Sequence, residues 1–138
     1  MDPMLRRFVQ EADFVPEPNA WATNVWLSRP ELVGADQLLL VRATMEAGRS
    51  HPFHKHPTRE EIIYVIKGQA EQWVDKEHRI LKPGEIAHIP MNTVHGTWNP
   101  FGQSLVFLAI LAPAKAGPPD IVDVSQEEPW RSMRSPEK

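Results

Sequence analysis

The sequence predicts an all-β domain, a sandwich or barrel of short strands, and three observations carry that reading. Fourteen prolines are spread through 138 residues, which breaks long helices and suits short strands joined by turns. Runs rich in β-branched and aromatic residues recur at regular spacing, with turn signals between them. The hydrophobic fraction of 41% and charged fraction of 24% are those of an ordinary globular domain, and the length allows one core.

The elements follow in order. Residues 1–19 form an N-terminal arm, in which Asp2-Pro3 either caps a short helix or begins a loose segment. Pro16, Pro18 and Pro30 punctuate the next stretch, with a strand expected at Ala20–Leu27. Gln37–Met45 reads as a long strand closed by Gly48. Glu61–Lys67 is dense in β-branched and aromatic residues and ends at the turn residue Gly68. Ala70–Asp75 and Arg79–Leu81 make a hairpin, and Pro83-Gly84 marks another turn. Ile86–Ile89, Val94–Trp98 and Ser104–Leu111 complete a domain over 20–112. From Pro113 to Lys138 the composition becomes polar and reads as an extended tail. In it Ile121–Val124 can add an edge strand, and Trp130 can anchor the segment.

Two strands, Glu61–Lys67 and Ser104–Leu111, are apolar on both faces. One face fills the core and the other needs a cover. In so short a chain a second copy is the expected cover, giving a homodimer; the arm or the tail is the alternative.

Composition excludes several function classes. A net charge of −3 with scattered Lys and Arg gives no footprint for nucleic acid, and Trp21, Trp26, Trp98 and Trp130 read as packing residues. The longest apolar runs, Leu38–Val41 and Leu105–Ala112, are too short to span a bilayer. Met1 to Arg7 lack the apolar stretch of a secretory signal, so a cytoplasmic location is expected. Without cysteine, a metal site must use His, carboxylates and water.

Such a site is suggested by two windows. In a strand, residues two apart point the same way, so His54 and His56 can aim both imidazoles at one point. A carboxylate follows, but its identity depends on parity. An unbroken strand turns Glu60 inward, whereas a turn at Pro57-Thr58 resets the register and turns Glu61, Ile63 and Val65 inward. His95 arrives on another strand after Pro90 and Asn92. Imidazoles with one carboxylate favour Mn, Fe, Ni, Co, Cu or Zn over Ca or Mg.

These residues resemble the two motifs of the cupin superfamily. Gly48, His54, His56, Glu61 and Gly68 fit the first at every spacing, and Gly84, Pro90, His95 and Asn99 fit the second. Asn92 stands where that motif has a glycine; asparagine tolerates the left-handed backbone that such a turn needs. The spacing to Gly68 selects Glu61 as the ligand. The resemblance implies a jelly-roll, or double-stranded β-helix, barrel with one divalent metal on His54, His56, Glu61 and His95, commonly as a dimer. It does not select a reaction, since cupins include dioxygenases, oxalate-degrading enzymes, isomerases and sugar-binding proteins.

Around the metal, Glu61 is a possible base, and His51 a second polar group near the mouth. Met45, Phe53, Ile63, Trp73 and Thr97 are candidates for the pocket lining, and Arg42 for holding an acidic substrate. The expected activity is metal-dependent chemistry of the dioxygenase or oxalate type on a small oxygen-rich or acidic molecule. A redox-neutral isomerase and a non-catalytic sugar-binding protein are the alternatives.

Overall fold

A computed structural model describes residues 5–135, so a helix beginning at Asp2-Pro3 lies outside the described residues. The strands are β1 (Glu17–Pro18), β2 (Thr23–Ser28), β3 (Leu39–Met45), β4 (Ser50–Lys55), β5 (Glu60–Lys67) and β6 (Ala70–Val74). They continue as β7 (Glu77–Leu81), β8 (Ile86–Ile89), β9 (His95–Trp98), β10 (Leu105–Ala112) and β11 (Val122–Asp123). Among the described residues there are two four-residue α-helices, α1 (Pro30–Val33) and α2 (Trp130–Met133). The sequence marks Pro30 only as punctuation. In the fold it occupies the first turn of α1, where its missing N–H costs nothing, and Gly34 closes the helix at a left-handed φ of 69°.

The strands form two antiparallel sheets, ordered β1-β2-β3-β10-β5-β8 and β11-β4-β9-β6-β7. This is the double-stranded β-helix, with one correction to the expected barrel. The sheets lie face to face and do not close on each other. β10 sits centrally in the larger sheet, paired with β3 through Phe107–Ala43 and with β5 through Ala109–Ile63.

Strict alternation on β3 and β10 builds the main core. Leu39, Val41, Ala43 and Met45 face inward from β3, and Leu105, Phe107, Ala109 and Leu111 from β10. A second cluster lies on the far side of the smaller sheet, where Phe53, Trp73, Trp98 and Val124 are buried, with Trp130 and Met133 packed on them. The polar stretch after Pro113 is therefore docked: β11 pairs with β4, and α2 caps the aromatic cluster.

Gly68 and Asn92 are among the positions that need the left-handed region. Gly68 has a φ of 79°, and a Cβ there would run into the carbonyl oxygen of Ser104 on the facing loop. Asn92 has a φ of 60°, the conformation the motif's glycine would supply. Among the described residues no helix is long and apolar enough to cross a membrane.

Candidate metal centre

The donor groups come from three places in the fold. His54 lies on β4 and His95 on β9, directly opposite each other in the ladder. His56 follows the end of β4, where Asn92 N–H donates to its carbonyl at 3.0 Å. Glu61 enters on β5 after the turn at Pro57-Thr58, facing inward and 6% exposed. Its neighbour Glu60 faces out and holds His88 at 2.6 Å. The His54, His56 and His95 nitrogens lie within 4.8 Å of one another. The Glu61 Oε1 atom is 3.0 Å from His95 Nε2 and 3.4 Å from His56 Nε2.

Each histidine is oriented through its other nitrogen. The Nδ1–H groups donate to the carbonyls of Pro52 (2.7 Å, from His54), Thr93 (2.9 Å, from His95) and Asp120 (2.9 Å, from His56). A carbonyl can only accept, so the proton of each neutral ring sits on Nδ1 and the Nε2 lone pair is bare. Such second-nitrogen bonds to carbonyls are the usual support of metal-bound histidine. The Nε2 of His95 and Oε1 of Glu61 are buried without a hydrogen bond, although they are 3.0 Å apart. Electron-rich atoms thus face one another with nothing between them to share, an arrangement that calls for a cation. The three imidazoles form a group that fits a transition-metal ion, with the Glu61 carboxylate beside it.

Without a metal ion, a proton on a ring Nε2 is the other cation that can fill this gap, and the local electrostatics describe that state. Burial raises the Glu61 carboxyl, but His56 and His95 outweigh it and bring its pKa to about 2, keeping it ionised. Burial lowers His56, but its contact with Glu61 prevails and raises it overall. Burial, then the neighbouring His51 and His95, hold His54 well below the usual range, so it stays neutral.

Beside these groups lies a cavity of about 280 Å³ between the two sheets. Met45, Ile63, Thr97 and His51 line it. Arg42, Phe53 and Trp73 do not, and strand parity explains each correction. Arg42 alternates with the inward Val41 and Ala43, so it points away, its guanidinium 5.1 Å from the centre of the Phe14 ring. Phe53 precedes His54 and therefore faces the opposite side of β4, into the aromatic cluster. Trp73 lies in that same cluster, its indole N–H donating to Glu71 at 2.8 Å.

Sequence reasoning missed other lining groups. Asn24 and Trp26 alternate inward along β2, and Asp120 and Ile121 enter from the tail. Trp21 also lines the cavity and stacks on His51 with ring centres 3.8 Å apart; His51 in turn stacks on His54 at 3.7 Å. His51 and His54 are three positions apart, so a regular strand would turn them to opposite faces. An irregularity in the β4–β9 register between them brings both rings to the cavity. Burial pushes the His51 imidazole down to about 3, so it is neutral.

Comparison with known proteins agrees with this geometry. A family model described as a cupin domain matches residues 41–111, about half of the chain. Quercetin 2,3-dioxygenase of Bacillus subtilis (strain 168) is 34% identical over 59 residues, which are 43% of this chain. The chain spans only 18% of that enzyme's length. Polyketide synthase CurC of Streptomyces cyaneus is 29% identical over 129 residues, covering 94% of this chain and 83% of that protein. The structure of KdgF from Halomonas sp. superposes with a TM-score of 0.71 at 19% identity, over 80% of this chain and 96% of that one, a likeness of fold. With the family model matching across the two-sheet core and both histidine windows, this chain belongs to the cupin family.

Proposed function

We propose that this cupin is a metal-dependent enzyme whose substrate is a small, largely apolar and ring-bearing molecule that offers oxygen to the metal. One observation carries the reading: an apolar, aromatic-walled cavity opens directly onto the donor set. Leu39, Val41, Ala43, Ile63, Phe107 and Ala109 form much of its wall, with Trp21 and Trp26 beside them. Cavities of this kind take ligands by apolar burial, with a few polar groups fixing orientation.

The same lining speaks against a compact dianion such as oxalate, which needs cationic partners when desolvated. Among the described lining residues only Arg59 carries a fixed positive charge. It is already engaged, donating to the carbonyls of Pro113 and Ala114 at 3.1 and 2.7 Å and facing Asp120 at 3.8 Å. The acidic-substrate half of the sequence expectation thus finds no support in the cavity.

In this scheme His54, His56, His95 and Glu61 hold the metal. The ion supplies Lewis acidity toward a ligand oxygen and, if it is iron or manganese, access to redox chemistry. Glu61 contributes the negative charge that helps balance the ion. Trp21 and Trp26 bury the ligand's rings and exclude water. His51, neutral and braced by Trp21 and His54, presents a ring nitrogen to a ligand oxygen.

Two chelators of similar bite test this. Tropolone carries its two oxygens on an apolar ring, and oxalate carries them on a bare dianion. Calorimetric titration of the metal-loaded protein is expected to give at least tenfold tighter binding of tropolone. Equal or tighter oxalate binding would overturn the proposal. Oxygen uptake against a panel of ring-bearing hydroxyketones then separates oxygenase from redox-neutral chemistry.

The larger sheet also bears on assembly. Its outer surface presents Tyr64 and Ile66 from β5 and Ile86 from β8, 37%, 45% and 50% exposed. Val106, Leu108 and Ile110 of β10 lie partly covered between β5 and β3. As part of the same proposal, a second copy of the chain covers this face. Light scattering of the purified protein should give twice the monomer mass, and Ile66→Lys should return it to the monomer mass.

A further inference from the structure

The three histidines are not supported alike. His54 and His95 each bond a carbonyl only two residues back in the chain, that of Pro52 on β4 and that of Thr93 just before β9. The support of His56 is the carbonyl of Asp120, 64 residues later in the chain. Nothing in the metal window itself therefore fixes the His56 ring through its second nitrogen. Its orientation is borrowed from the C-terminal segment.

That segment is held along the edge of the smaller sheet and then on its far face. Val122 and Asp123 pair with Lys55 and His54, and Val124 N–H donates to the Phe53 carbonyl at 3.1 Å. Val124 is itself buried in the aromatic cluster. Beyond it, Trp130 packs on Phe53 with ring centres 5.3 Å apart, and the Trp98 indole donates to the Ser135 carbonyl at 2.8 Å. Arg134 donates to both oxygens of Glu71 at 2.8 and 3.1 Å and lies 5.2 Å from the centre of the Trp98 ring. Before the segment, Arg59 clamps the carbonyls of Pro113 and Ala114. Between these attachments, residues 115–119 run mostly exposed, and a Cβ at Gly117 would meet nothing within 4 Å. Asp120 and Ile121 then close one wall of the cavity.

We propose that docking of the C-terminal segment and loading of the metal are one coupled equilibrium, transmitted through the bond from His56 Nδ1–H to the Asp120 carbonyl. With the segment docked, His56 is oriented as a ligand and the cavity has its wall. With the segment released, the ring turns freely and the site keeps two well-oriented imidazoles. Loss of such an orienting bond typically lowers metal affinity by about 10–100-fold. Reciprocity requires that metal hold the segment down by the same factor. The inference rests on the reading that these histidines bind a metal.

The test uses the full chain with cobalt(II), whose absorption reports its ligands. Trp130→Ala and Arg134→Ala loosen the segment at two chemically different attachments, both remote from the donor atoms. Each is expected to weaken cobalt affinity about tenfold, the lower end of the range for an orienting bond, while wild-type circular dichroism is kept. In a His56→Ala background the same changes should weaken it no further, because the coupled residue is gone. Cobalt should also slow amide hydrogen exchange at 120–124 in the wild type, and leave it unchanged in His56→Ala. Unchanged affinity in both loosened variants, or an equal further loss in the His56→Ala background, overturns the inference. A wild-type protein that binds no cobalt overturns the metal reading instead, and the two failures are distinguishable.

Discussion

Replacing Phe53 with alanine separates two roles that the sequence alone confuses. Phe53 sits between two of the histidines in the window, yet it is 1% exposed and faces away from them. Its ring meets Trp73 edge-on at 5.6 Å, Trp98 at 5.0 Å and Trp130 at 5.3 Å. Truncation removes a fully buried aromatic side chain and leaves a void, for which Phe→Ala costs about 3–5 kcal/mol. Three aromatic partners place the expected loss toward the upper half, about 4 kcal/mol. At roughly 2–4 °C per kcal/mol for a chain of this size, the melting temperature should fall by about 8–16 °C. Urea unfolding followed by tryptophan fluorescence measures the loss. With metal held at saturation, so that the C-terminal segment stays docked, tropolone binding below the unfolding transition should change little compared with its loss in Ile63→Arg, which fills the cavity wall. A stability loss under about 1 kcal/mol, together with abolished ligand binding, would refute the placement of this ring.

Two further predictions concern the backbone and acid stability. Asn92→Gly should be nearly neutral, whereas Asn92→Val should lose about 1–2 kcal/mol because a β-branched residue resists a φ of 60°; chemical denaturation of both variants checks this. At Glu71, burial raises the carboxyl, but its bonds from Arg134 and Trp73 prevail and hold it below 4.5. A depressed folded value means that this stabilisation is present above pH 4.5 and is lost as pH falls through the folded value. Arg134→Ala should therefore flatten the acid side of the stability–pH curve, measured by urea titration, and an unchanged slope would exclude this pair as a source of it.

Much of the architecture is legible because it rests on period-two patterning. Arg42 and Thr44 alternate with apolar residues on β3, and the turn residues Gly68 and Asn92 mark strand ends, whereas β10 is apolar on both faces and its inward face is set by its pairing with β3 and β5. The donor set is legible in part: the parity of Glu60 and Glu61 hinges on a turn at Pro57-Thr58 that no periodicity fixes, and only the spacing to Gly68 chooses between them. Phe53 and Arg42 are a different case, since alternation from His54 and Val41 already turns them away from the cavity. The place of His51 is not legible, because an irregular β4–β9 pairing leaves no mark in composition. Nor is the role of Asp120, which acts through a carbonyl that every residue possesses. The open pair of sheets in place of a barrel reflects pairing between distant strands, which local pattern does not encode.

The central claim is that His54, His56, Glu61 and His95 hold one transition-metal ion. Elemental analysis of the purified protein, beside His54→Ala and His95→Ala variants prepared identically, tests it most directly. The account predicts close to one manganese, iron, cobalt, nickel, copper or zinc per chain after reconstitution, lost in both variants while their circular dichroism is kept. A wild-type protein that takes up no such metal, or variants that retain it, would contradict the account.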